Sequence, residues 1–151
     1  MVLTNTIYTP QSFVEVLTDK CYLFNSDNDA ERIHKLLAID IYEWCKKHNL
    51  WGDNIIYFDG KAWSSSEVWG TEEGKKIADD LYEYEDMNPR DYFEYANPET
   101  LSMSFEGGLN HILNGYTRGW VKLEEQFGKL FEKYGLYYEM GYAWSLSAYE
   151  I

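Results

Sequence analysis

Residues 54–63, NIIYFDGKAW, set β-branched and aromatic side chains on both sides of an Asp-Gly pair. Asp-Gly tolerates the positive φ angles of a tight two-residue turn, so the stretch predicts a β-hairpin. A lone hairpin is marginal in water and needs more strands or a helix against one face. Both are legible on either side of it. Upstream, NSDND at 25–29 is a cluster of turn and cap formers, and Ile33, Leu36, Leu37, Ile41 and Trp44 follow at steps of three and four. That spacing predicts a helix to His48, closed by Asn49 and Gly52. Downstream, Leu101, Met103 and Phe105 alternate with Ser102, Ser104 and Glu106, the pattern of a half-buried strand.

The remaining segments extend this mixture. Thr9-Pro10 reads as a cap with proline in the first turn, opening a short helix over 10–19. Ile77, Leu81 and Tyr84 share a helical face and predict a helix from Glu72 to Asp86. The cap-like Asn88-Pro89-Arg90-Asp91 predicts a further short helix through Tyr95, stopped at Asn97-Pro98. After Gly107-Gly108, LNHILN reads as one or two helical turns. The last helix runs over Thr117–Tyr134, with Trp120, Leu123, Phe127, Leu130, Phe131 and Tyr134 as its inner stripe and Gly135 as its terminator. LYYEM and AWSLSAYE then read as two strands parted by Gly141. No regular βαβ alternation and no linker divides the chain. The expected fold is one α+β domain over residues 1–151, with several helices packed on a small, mainly antiparallel sheet.

Composition narrows the function. The chain has 151 residues, 26 Asp+Glu against 13 Lys+Arg, a net charge of −13, and 18% aromatic side chains. So many aromatics argue against disorder. So few bases argue against direct nucleic-acid binding, which needs clustered Lys and Arg. No apolar run spans a membrane, and MVLTNTIYTPQSF carries no leader pattern, so the cytoplasm is the expected compartment. There is no phosphate loop, G-x-S-x-G, H-E-x-x-H or C-x-x-C. NSDNDAERIHKL fails as a calcium loop, because Ala30 falls where glycine is required and Leu36 where a bidentate acid is required. Cys21 and Cys45 read as small buried hydrophobes, and His111 as structural. No catalytic residue, metal site or cofactor is expected, and the chain reads as a non-enzyme.

Two groups of residues stand out. Asp40 lies on the row Ile33–Leu37–Asp40–Trp44, facing the core, where a carboxylate must be satisfied. A tyrosine hydroxyl, an indole N–H or a cap would satisfy it; the sharper alternative makes it the wall of a small-molecule pocket. The second group is DDLYEYEDMNPRDYFEY at 79–95. It holds Asp79, Asp80, Glu83, Glu85, Asp86, Asp91 and Glu94 against Arg90 alone, interleaved with Tyr82, Tyr84, Tyr92, Phe93 and Tyr95. On a helix, Asp79, Glu83 and Asp86 would form a row of carboxylates about 6 Å apart, close to the pitch of phosphates along one nucleic-acid strand. The outer face of the last helix, by contrast, mixes Lys122, Glu125, Lys129, Glu132 and Lys133 and reads as merely solvated.

The leading expectation is therefore an acidic inhibitor that mimics nucleic acid and binds a basic nucleic-acid-processing protein through Asp79, Asp80, Glu83, Glu85, Asp86, Asp91, Tyr92 and Glu94. In size and charge, though in no motif, the chain resembles small acidic antirestriction and anti-CRISPR proteins. An immunity protein neutralising a basic toxin such as a nuclease would use the same electrostatics. A third expectation is a carbohydrate or small-ligand module, with Trp63 and Trp69 in a serine-rich loop as the stacking pair and Asp40 as a pocket wall.

Overall fold

A computed structural model describes residues 29–67 and 74–151. The helix expected over 10–19, Cys21 and Trp69 lie outside the described residues. Helix α1 spans Asp29–Lys47. It carries Asp29 and Glu31 in its first turn and Lys46 and Lys47 in its last, each opposite in sign to the partial charge of that helix end. Strands β1 (Asn54–Phe58) and β2 (Lys61–Ser64) form the expected hairpin. Its turn residues Asp59 and Gly60 have φ of 52° and 75°, the two left-handed positions that a primed turn requires. Strands β3 (Lys75–Ala78), β4 (Leu81–Tyr84) and β5 (Leu101–Phe105) follow. Helices α2 (Gly108–Leu113) and α3 (Trp120–Glu132) then lead to β6 (Leu136–Met140) and β7 (Ser145–Glu150).

Among the described residues the fold is mixed α+β, with three helices and one seven-stranded sheet, more extensive than the small sheet expected. The strand order is β3-β4-β2-β1-β5-β7-β6, and every neighbouring pair is antiparallel. The helices cover one face. Leu37, Ile41 and Cys45 of α1 and Phe127 and Phe131 of α3 bury against Ile56, Phe58, Trp63, Leu81, Leu101, Met103, Phe105, Leu146 and Ala148 of the sheet. These sheet residues alternate along their strands, as a sheet packed on helices requires.

Two expected helices are corrected. Among the described residues, the one expected over 72–86 is absent. Residues 75–84 are the β3–β4 hairpin, turning on Asp79-Asp80. Leu81 and Tyr84 consequently point to opposite faces, Leu81 into the helix-side core and Tyr84 into a second cluster. Asn88 does cap the next segment, accepting from Arg90 N at 2.9 Å, but the product is a single 3₁₀ turn, Pro89–Asp91.

The second sheet face is also covered, which the alternation of LSMSFE did not anticipate. A strap over residues 85–97 crosses it and buries Met87, Phe93 and Ala96 against Tyr57, Ala62 and Tyr84. Ser102 and Ser147, which alternate with the core residues and read as solvent-facing, are buried beneath this strap. They are register partners on β5 and β7, with hydroxyls 2.8 Å apart. Asn97 N donates to both, at 2.8 and 3.1 Å, and the Ser147 hydroxyl donates to the Tyr95 carbonyl at 3.1 Å. Paired in this way, buried hydroxyls avoid the cost of an unmet polar group, about 1–3 kcal/mol.

Candidate binding surface

The hairpin rearranges the acidic segment. Seven residues of helix span about 10 Å, whereas extended chain of that length approaches about 20 Å. Asp79 and Asp86 therefore lie at opposite ends of β4, and the single row Asp79–Glu83–Asp86 does not exist. The hairpin also separates the acids by role. Asp80 anchors the hairpin to α1. Its Oδ1 accepts from the Tyr42 hydroxyl at 2.7 Å, its Oδ2 pairs with Lys46, and its main-chain oxygen accepts from Trp51 Nε1 at 2.7 Å. Glu83 faces the helix side, where its carboxylate accepts from Trp63 Nε1 at 2.9 Å. Asp79 is 95% exposed on the turn. Glu85, Asp86, Asp91 and Glu94 are exposed along the strap.

The strap brings together rings from three parts of the chain. Tyr92 stacks on Tyr57 of β1 with centroids 5.7 Å apart, and Phe93 meets the same ring edge-on at 5.7 Å. Phe93 then contacts Trp144 at 5.8 Å, and Trp144 stacks on Tyr142 at 5.1 Å with only 7° between planes. Tyr142 closes the series on Tyr95 at 5.2 Å and donates its hydroxyl to Glu94 at 3.2 Å. Tyr92, Tyr95 and Tyr142 remain 44%, 54% and 36% exposed. Tyrosines held this way offer contact area with a polar tip, and the same strap carries exposed Glu85, Asp86, Asp91 and Glu94 against Arg90 as its one base.

Of this surface the sequence supplied Glu85, Asp86, Asp91, Tyr92 and Glu94, with Phe93 and Tyr95 interleaved among them. It missed Tyr57, Tyr142 and Trp144, which lie on β1 and around the start of β7. The signal for Tyr57 was period two in residues 54–58, which puts it on the face opposite Ile56. Nothing local places Tyr142 and Trp144 beside the strap.

The other singled-out residues have structural settings. Asp40 Oδ2 accepts from the Tyr134 hydroxyl at 2.6 Å and from Lys133 Nζ at 3.1 Å, the tyrosine-satisfied arrangement rather than a pocket wall. Burial, and then the bond to Asp40, push the Tyr134 hydroxyl well above the ordinary tyrosine range, so it stays a donor. Trp63 is 1% exposed and meets Phe58 edge-on in the helix-side core. It offers no face to a sugar. Cys45 is buried on the inner face of α1, and burial pushes its thiol above the usual range, holding it in the weakly nucleophilic neutral form. A cleft of about 440 Å³ lies between Lys46, Trp51, Asp53, Ser65 and Asp80, where Lys46 and Asp80 already pair with each other. No helix among the described residues is long and apolar enough to cross a membrane.

The architecture and this surface define an α+β protein whose second sheet face carries a strapped, acidic aromatic patch. Compared with models of known families, with curated proteins and with solved structures, the chain matches none of them.

Proposed function

We propose that the protein is a non-enzymatic acidic binding protein that inhibits a basic nucleic-acid-processing protein through the strap surface. The observation that supports this is the six-ring array of Tyr92, Tyr57, Phe93, Trp144, Tyr142 and Tyr95, gathered by a strap that also carries four exposed acids. The acids steer a basic partner in and disfavour neutral or acidic ones. The tyrosine faces accept lysine or arginine side chains by cation–π contact once water leaves. Contact falls on Glu85, Asp86, Asp91, Tyr92 and Glu94, joined by Tyr95 and Tyr142. Asp80 and Glu83 serve the fold instead. Mimicry then rests on a charged patch around rings rather than on a carboxylate row at phosphate pitch.

The test is capture from host lysate with the wild type, with Asp91→Asn/Glu94→Gln and with Tyr92→Ala/Tyr95→Ala, at about 50 and about 500 mM salt, which shortens the Debye length roughly threefold. The expected catch is a basic DNA- or RNA-handling protein that weakens sharply at high salt and in both variants. A toxic nuclease as the captured partner would make this an immunity protein. An empty low-salt capture, or a partner indifferent to both variants, refutes the reading.

A further inference from the structure

The sheet has two outer edges, and they are built differently. At one edge, β3 carries exposed Lys75 and Lys76, and its register slips between Lys76 and Ala78. Lysines and an irregular register are the ordinary means of keeping an edge from pairing. At the other edge, β6 has no lysine, no proline and no slip, and runs five consecutive residues in register with β7. Among the described residues no strand pairs with its outer side.

The hydrogen-bond parity of β6 can be read from its ends. Ile151 N donates to Gly135 O at 3.1 Å, and Gly141 N donates to Ser145 O at 3.1 Å. Gly135 and Gly141 thus sit in hydrogen-bonded pairs with β7, and in an antiparallel ladder such pairs alternate. Tyr137 and Glu139 direct their backbone groups to β7. Leu136, Tyr138 and Met140 direct theirs outward.

We infer that the outer edge of β6 pairs with β6 of a second copy of this chain, antiparallel about a two-fold axis at Tyr138. In that register Tyr138 faces its own copy, and Leu136 faces the second copy's Met140. Every outward N–H and C=O of both strands is then matched, three residue pairs with two bonds each. The side chains also agree. Leu136 opposes Met140, apolar against apolar, on the helix side. Tyr137 opposes Glu139 on the other side, so the hydroxyl that donates to Glu139 of its own chain at 3.2 Å can donate across the axis instead. No like charges fall opposite one another, which such a pair must avoid. The two sheets would join into one. Tyr137 and Met140, 40% and 37% exposed in one copy, would be covered.

Sedimentation velocity from about 1 to about 200 µM spans the range where a modest interface associates. The wild type is expected to convert from monomer to dimer across it. Met140→Pro deletes an N–H that β7 does not use, and should raise the dissociation constant at least about tenfold, because the symmetric pair loses that bond twice. Met140→Ala keeps the N–H and should stay dimeric. Amide exchange in the wild type gives a reading independent of any variant. Dilution should release Leu136, Tyr138 and Met140 while Tyr137 and Glu139 stay protected. A monomer throughout, a dimer that survives Met140→Pro, or dilution-independent exchange at those three amides overturns the inference.

Discussion

Replacing Asp80 with alanine distinguishes a carboxylate that holds the fold from one that waits for a partner. Tyr42 is fully buried, and its hydroxyl donates to Asp80 at 2.7 Å. Burial first, and the bond to Asp80 second, raise that hydroxyl well above the ordinary tyrosine range, so it is a donor at any pH of interest. In Asp80→Ala the donor loses its acceptor, a cost of about 1–3 kcal/mol for an unmet buried group. The Lys46 pair is one-third exposed at both partners and adds less than about 1 kcal/mol. The main-chain acceptor of Trp51 is untouched by the substitution. The expected loss is about 2–3 kcal/mol, which at a typical urea m-value of about 2 kcal/mol/M lowers the midpoint by about 1–1.5 M. Asp79→Ala, next door on the turn, should stay within about 0.5 kcal/mol of the wild type. In the Tyr42→Phe background no hydroxyl is left to orphan, so Asp80→Ala should then cost no more than about 1 kcal/mol. Equal losses in both backgrounds, or an Asp80→Ala protein as stable as Asp79→Ala, would refute the anchoring role and return Asp80 to the free acids.

Three further outcomes follow from individual groups. Tyr134→Phe removes the 2.6 Å bond to Asp40, which keeps Lys133 and solvent; chemical unfolding should show a loss of about 1 kcal/mol, and no loss would reopen the pocket reading of Asp40. Burial raises the Glu43 carboxyl above its ordinary value, ahead of the opposing pull of Lys46. The native state therefore holds that proton more tightly, and the stability it contributes is present in acid and lost as pH rises through the folded-state value. Glu43→Gln should melt higher than the wild type at pH 7, with the advantage shrinking towards about pH 4, near the ordinary glutamate value; an advantage that grows in acid would contradict the sign. Alkylation read by peptide mass spectrometry should leave Cys45 unmodified in the native protein and label it once urea unfolds the chain, whereas rapid native labelling would mean an exposed thiolate.

Much of the fold was legible where local chemistry and burial point the same way. The Asp59-Gly60 turn carried its own backbone geometry, and α1 and α3 had apolar stripes long enough to exclude other periods. The β3–β4 hairpin was misread because Ile77, Leu81 and Tyr84 happen to fall at helical intervals. The competing signal was LYEY itself, where aromatics and alternation favour a strand. Two aspartates in a row were the turn, not the start of an acid stripe. Ser102 and Ser147 were misread for a different reason. Alternation says that one face is apolar, but it cannot say that a strap returns from residues 85–97 to cover the polar one. That covering is a tertiary event. So is the meeting of Tyr142 with Tyr95 and of Trp144 with Phe93, about fifty positions apart in sequence.

The same correction changes what the acids can do. On a helix, successive turns would have stacked carboxylates on one side, a rod of charge with nothing to position it but its own backbone. In the hairpin, Glu83 is taken into contact with Trp63, while Asp80 on the turn is taken by Tyr42 and Lys46 of α1. The acids left free lie mostly on the strap, whose backbone is tied down by the Asn97, Ser102 and Ser147 bonds. A strap fixed at its base presents its tyrosines and acids already in place. Binding through the strap, as proposed, would order fewer groups than binding through a flexible acidic tail, and the entropy loss that weakens such tails would fall accordingly. In the binding role proposed for this surface, charge would supply approach and selectivity, and the rings with the serine-anchored backbone beneath them would supply the shape that a partner must fit.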